Sequence, residues 1–266
     1  MARGAGKTTN GVLTGFALKM IAVFCMVVDH VTEATFMLWI PRLMRLGMGA
    51  KNLILLKIFL RGLGRISFPL FAFLLVEGFT HTKNLRKYAA SLLLFGFLSE
   101  SPFDLAIFQR TLEFSYQNVF FTLFIGLMTL WGLERFRGKR GPQGLVIAVG
   151  AVLCWGLRTD YGAYGLGIIL SMYFFKKQPF KRFLGVAAMF FLLYVAEPLF
   201  EALSAGTPVK GLYLGAGCWL FAMALTPFVP IALYNGKRGA AFPKYIFYAF
   251  YPAHLLLLGL YLRRFA

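Results

Sequence analysis

The sequence predicts an all-α, polytopic membrane bundle of about nine transmembrane helices with a cytoplasmic N-terminus. Composition is the first observation behind this reading. Hydrophobic residues make up 59% of the chain and charged residues 14%, against roughly 45–50% and about 25% in soluble domains. A water-soluble protein so composed would lack the polar surface to cover itself. The second observation is the alternation of long apolar runs with short basic clusters. The third is the uneven division of Lys and Arg between the two sides that those runs define.

A spanning helix needs about 20 mostly apolar residues. In chain order the candidates are 16–40, 66–80, 88–101, 119–134, 144–157, 161–175, 183–203, 212–234 and 245–262. The first is too long for a signal-peptide core and carries acidic residues where a cleavage site would fall. The second contains Pro69 near its start, and the fourth follows Asn118. Several runs are short and must extend through polar ends or thin the bilayer locally. Arg3 and Lys7, Lys83, Arg86 and Lys87, the cluster 135–140, the cluster 176–182, and Lys237, Arg238 and Lys244 all fall on one side. The positive-inside bias makes that side cytoplasmic. The segment 42–65, expected as an external loop, violates the bias with Arg42, Arg45, Lys51, Lys57, Arg61 and Arg65. No internal repeat or linker divides the chain, so residues 1–266 read as one integral membrane domain.

The net charge of +18 would suggest nucleic acid in a soluble protein. Here the basic residues lie in loops between apolar runs, which excludes nucleic acid as a partner and points to membrane lipid. Cys25, Cys154 and Cys218 sit inside apolar segments without CxxC spacing and read as small packing residues.

Ionisable groups inside a bilayer are costly and are functional candidates by default. Met26, Asp29, His30 and Glu33 fall on one helical stripe of the first span, which must face the bundle interior. Other spans contribute Glu77, Glu100, Glu197 and His254, with Asp104, Asn118 and Asp160 at their rims. In the expected topology most of these lie toward the outer side, as a polar pocket opening outward would require. Arg61 and Arg65 stand one turn apart and can converge on one anion. Each feature also has a structural reading: buried polar groups glue helices together, and interfacial arginines snorkel to headgroups.

Histidine can take and return a proton near neutrality, and a carboxylate can fix its tautomer. Adjacent helical residues diverge by about 100°, so Glu100 or Asp104 could orient His30 as readily as Asp29. No GxSxG, HExxH, Walker or EF-hand pattern occurs, and three separate histidines suggest no metal site. The set suits acyl transfer, with His30 as base and Arg or Asn118 stabilising an oxyanion or gripping a phosphorylated donor. It suits proton-coupled transport equally well.

Several blocks carry a more specific signal: LKMIA at 18–22 leading into MVVDH at 26–30, GRISFPLFAFLLVEGF at 64–79, HTKN at 81–84, LSESPFD at 98–104, NVFFTL at 118–123 and YPAHL at 251–255. Together they resemble the TraX family. The resemblance implies an integral acyltransferase of the inner membrane that moves acetyl from acetyl-CoA, with pilin as the acceptor of the named family member. For this chain the implied acceptor is a protein N-terminus, a glycan or a small amine. His30, Asp29, Glu100 and Asp104 would then form the catalytic set. Arg61, Arg65 and Asn118 would bind the donor, and Glu77, Asp160 and His254 would support the site or substrate.

Overall fold

A computed structural model describes residues 11–208, 211–241 and 243–264. Arg3, Lys7 and Lys210 lie outside them. Among the described residues all regular structure is helical, and the only β-type pairings are two isolated bridges that clip loops together, Leu13 to Tyr234 and Gln117 to Thr159.

Helix α1 (Gly15–Arg45) opens on Thr14, whose hydroxyl accepts from the Ala17 amide at 3.2 Å. The carbonyls of Lys237 and Arg238 take two further first-turn amides, those of Gly15 and Phe16, each at 2.9 Å. Such partners are what a helix start requires. At 1.5 Å per residue this 31-residue helix is about 46 Å long and outreaches the roughly 30 Å hydrocarbon core.

Helices α2 (Ala50–Gly64) and α3 (Ser67–His81) are separated only by Arg65 and Ile66, which both keep right-handed helical dihedrals. The 32 residues 50–81 thus form one rod with a hinge. Pro69 lies in the first turn of α3, where its missing amide costs no hydrogen bond. The basic stretch expected as an external loop is therefore the end of α1 and the whole of α2. Lys57, Arg61 and Arg65 recur every fourth residue, so they share one face and leave the others apolar.

The remaining elements are α4 (Leu85–Ile107), α5 (Val119–Arg135), α6 (Arg140–Gly156), α7 (Gly162–Phe174), α8 (Pro179–Phe191), α9 (Glu197–Ser204), α10 (Gly211–Leu225), α11 (Phe228–Ala232) and α12 (Lys244–Arg263). Asn84 and Asn118 cap α4 and α5 through their side-chain oxygens. A π-helical turn, Leu192–Ala196, joins α8 to α9 just before Pro198, a common way to absorb a disrupted helical ladder.

Counting α2–α3, α8–α9 and α10–α11 as single rods gives nine passes among the described residues, as expected. Six are long and apolar enough to cross a membrane alone. Helices α5 and α6 have 17 residues and α7 has 13. Helix α7 tolerates its shortness because it is enclosed by α3, α5, α6 and α8, with Leu166, Ile168, Ile169 and Met172 buried. The core also holds Leu18, Ala22, Leu70, Leu127, Leu130 and Leu255, while Val152, Trp155, Phe200 and Leu257 point outward from the bundle. That is the apolar exterior a multi-pass membrane protein needs.

Candidate active site

The centre of the site is built where α1 meets α2 on one side and α12 on the other. Asp29 and His30 are neighbours in sequence, and the helix sends them to different partners. The Asp29 carboxylate faces α2. Arg65 Nη2 donates to both of its oxygens, at 2.8 and 2.7 Å, and Arg61 Nη1 lies 2.8 Å from Oδ1. Farther along, Glu33 lies 3.3 Å from Arg61 Nε and 3.6 Å from Lys57 Nζ. This outer rung is more than one-third exposed at the glutamate and contributes little stability. The inner rung is largely buried, and truncating one partner would leave an uncompensated charge. Close approach of the helices requires Gly64, since a Cβ there would overlap the Asp29 carboxylate. Arg65 also donates to the Tyr194 hydroxyl at 3.4 Å and lies over the Tyr161 ring, while its Nε is buried without a partner.

The partner of His30 is His254 on α12. His30 Nδ1 and His254 Nε2 are 2.7 Å apart, and the two rings are within 10° of parallel with centroids 5.0 Å apart. The nitrogens therefore face each other edge to edge along the line of centres, an in-plane hydrogen bond and not a face-to-face stack. His254 Nδ1 is 2.8 Å from the carbonyl oxygen of Phe250. A carbonyl only accepts, so His254 carries its proton on Nδ1 and offers a lone pair at Nε2. His30 must then donate from Nδ1, which leaves its Nε2 unprotonated in the neutral ring.

His30 lines a cavity of about 320 Å³ whose walls include Asp29, Glu33, Arg61, Arg65, Tyr116, Asp160, Tyr161 and Tyr251. Its roof comes from the α4–α5 and α6–α7 connections. Tyr116 donates to Asp160 Oδ1 at 2.7 Å, the Asp160 amide donates to the Gln117 carbonyl at 2.9 Å, and the Thr122 hydroxyl donates to the Asp160 carbonyl. Burial pushes the Asp160 carboxyl above its ordinary range, opposed by the hydrogen bond from Tyr116.

Glu100, Asp104 and Asn118 do not join this wall. Asn118 Nδ2 donates to Glu100 Oε2 and, at 2.9 Å, to the Gly96 carbonyl. Asp104 Oδ2 accepts from the Glu113 amide at 2.7 Å. Glu100 Oε1 and Asp104 Oδ1 are buried without partners. The three residues brace the start of α5 and the loop before it, while Phe103, Tyr116 and Val119 from the same segments reach the chamber. Glu77 stands at the opposite end of α3, paired with Lys176 at 2.7 Å and flanked by His81 at 3.9 Å. Among the described residues no group of His, Cys, Asp and Glu could hold a metal ion.

Sequence reasoning missed the tyrosines of the chamber. Tyr116, Tyr161 and Tyr251 line it and Tyr194 holds Arg65 from behind, yet the aromatic content as a whole reads as lipid-facing surface. The usable signal was the choice of Tyr over Phe, since a buried phenol usually needs a polar partner.

With this geometry in place, the comparisons with known proteins are decisive for kinship. The family model described as TraX protein matches residues 14–262. This chain belongs to the TraX family. The matched interval takes in every pass of the bundle and every residue of the chamber. The chain is also 31% identical over 260 residues to the probable fimbrial assembly protein FimC, serogroup H1, of Dichelobacter nodosus, covering 92% of this chain and 94% of that protein. No solved structure matches it.

Proposed function

We propose that this TraX-family protein is an acyltransferase of the inner membrane that moves acetyl from acetyl-CoA to an amine or hydroxyl presented at the outer face. The observation that carries the proposal is the His30–His254 pair, which leaves Nε2 of His30 basic on the wall of a polar chamber. His30 Nε2 takes the proton of the attacking N–H or O–H as the acceptor's nitrogen or oxygen bonds to the thioester carbonyl carbon. Arg65, whose Nε–H lacks a partner, supplies a donor for the developing oxyanion. As the C–S bond breaks, His30 returns the proton to the departing thiolate, so the acylated acceptor and a free thiol are the products. Asp29 keeps both guanidinium groups in place and tempers their repulsion of the imidazolium that forms.

Family membership supports this reading, and kinship with a protein named for fimbrial assembly favours a pilin-type protein N-terminus as acceptor. A glycan or small amine would use the same chemistry. The test combines purified protein with radiolabelled acetyl-CoA and a synthetic pilin N-terminal peptide. Wild-type protein transfers label, and His30→Ala loses at least about a hundredfold in rate. Undiminished transfer by His30→Ala would remove the base. Solute uptake into liposomes without acetyl-CoA consumption would favour the proton-coupled transporter instead.

A further inference from the structure

A second cavity, of about 460 Å³, lies on the N-terminal side of the bundle, and its mouth is basic. Lys19 comes from α1, Lys87 from the first turn of α4, and Arg238 from the α11–α12 connection. Arg238 is held there because its carbonyl caps the first turn of α1. Among the described residues the ion pairs of the protein include none of these three cations. The Lys19 ammonium lies 4.8 Å over the ring of Phe247, and the carboxylate nearest this end of α3, Glu77, is engaged by Lys176. Helices α1 and α4 both start at this mouth, so their dipoles add to the positive potential. The arrangement calls for a polyanion.

The deeper wall is apolar, with Leu75, Leu92 and Leu123. At its far end Met26, Phe71, Val119 and Tyr251 line both this cavity and the His30 chamber. Two cavities opening toward opposite ends thus meet at one four-residue septum. A ligand matching both would carry phosphates on a slender, mostly apolar arm that reaches through the septum.

We propose that this basic vestibule binds the nucleotide phosphates of a coenzyme A thioester on the cytoplasmic side, with the arm passing Met26, Phe71, Val119 and Tyr251 to bring the thioester to His30. The inference rests on the acyltransferase reading and assigns the donor's phosphates a site away from Arg61 and Arg65, whose Nη1 and Nη2 groups, respectively, are engaged by Asp29. An anionic phospholipid shares the phosphate-and-tail chemistry, so the test must separate the two.

The test measures binding of coenzyme A and of pantetheine, which lacks the nucleotide phosphates, by calorimetry on the full protein in nanodiscs of zwitterionic lipid. Wild-type protein binds coenzyme A. The double substitution Lys19→Gln with Arg238→Gln weakens coenzyme A at least tenfold and leaves pantetheine unchanged. Lys87→Gln, at an exposed position, weakens coenzyme A about threefold and guards against misfolding of the double variant. Unchanged affinity in the double variant and in Lys87→Gln, or no binding by wild type, overturns the inference. So does displacement of coenzyme A by phosphatidylglycerol at comparable concentration, which would assign the vestibule to lipid. Binding as expected without acetyl transfer leaves the site standing and sinks the acyl-transfer reading alone.

Discussion

The basic nitrogen of His30 depends on a residue 224 positions away. A neutral imidazole carries one N–H, and the two tautomers are close in energy in water, so an unpartnered His30 would present Nε2 as a lone pair only part of the time. His254 removes the choice. Its own tautomer is set by a backbone carbonyl, which cannot change its role. The pair is thus a chain of two directed hydrogen bonds ending on the main chain of α12. Replacing His254 by Ala frees the His30 ring, and kcat for acetyl transfer should fall about ten- to a hundredfold with little change in the donor KM. His254→Gln should recover part of the loss, because an amide oxygen can accept from His30 Nδ1–H. The pH profile of kcat should move in His254→Ala as the second ring's influence disappears. A His254→Ala enzyme with wild-type kcat and pH profile would show that His30 does not rely on this partner. Much of this was legible in residue types, since Asp29, His30 and His254 are costly inside a membrane. Spacing along a helix gives angle and depth but not the neighbour across the gap. Glu100 and Asp104 share the outer depth of His30, and only the lateral packing of α4, α5 and α12 sends them to Asn118 and the Glu113 loop instead.

At the scale of elements, the antiparallel pair α1 and α2 carries the charged ladder and positions both sides of Asp29. Hydropathy found α1 and α3 but read α2 as loop, because Lys51, Lys57, Arg61 and Arg65 interrupt its apolar pattern. Once Asp29 and Glu33 from α1 are opposite, most of that charge is paired, and the segment behaves as an ordinary packed helix. The partner that neutralises a run lies on another element, so a window moved along one segment cannot register it. Gly64 records how close the two helices come. The substitution Gly64→Ala adds a methyl group where the Asp29 carboxylate already sits, and neither a short acidic side chain gripped by two arginines nor a helix backbone yields easily. The rods must separate, which should cost about 1–3 kcal/mol even though Ala is the better helix former. A fall in thermal midpoint, with weaker acetyl transfer as Arg65 is displaced, is the expected outcome. Unchanged midpoint and rate would mean that the α1–α2 contact is looser than described.

For the whole molecule, the proposals above require a direction: the basic vestibule must face the compartment that holds the donor, and the loops over His30 the opposite one. Lys and Arg clusters provide that direction by disfavouring translocation of the loops that carry them. The apparent exception, 42–65, weighs less once it is seen as helix, since Arg61 and Arg65 are paired with Asp29 and Glu33 within the bundle. Ser115, in the exposed part of the loop over the chamber, and Gln178, in the exposed turn between α7 and α8, should therefore lie on opposite faces. Cys25 and Cys154 are buried and Cys218 is exposed, so a Cys218→Ser background leaves little competing thiol reactivity. In it, Ser115→Cys should react with a membrane-impermeant maleimide in right-side-out vesicles and be protected in inverted ones. Gln178→Cys should show the reverse. If both thiols react from the same side, the bundle is not crossed as nine passes require. If the two patterns are exchanged, the vestibule faces away from the cytoplasm, and a donor made there has no direct route to Lys19, Lys87 and Arg238.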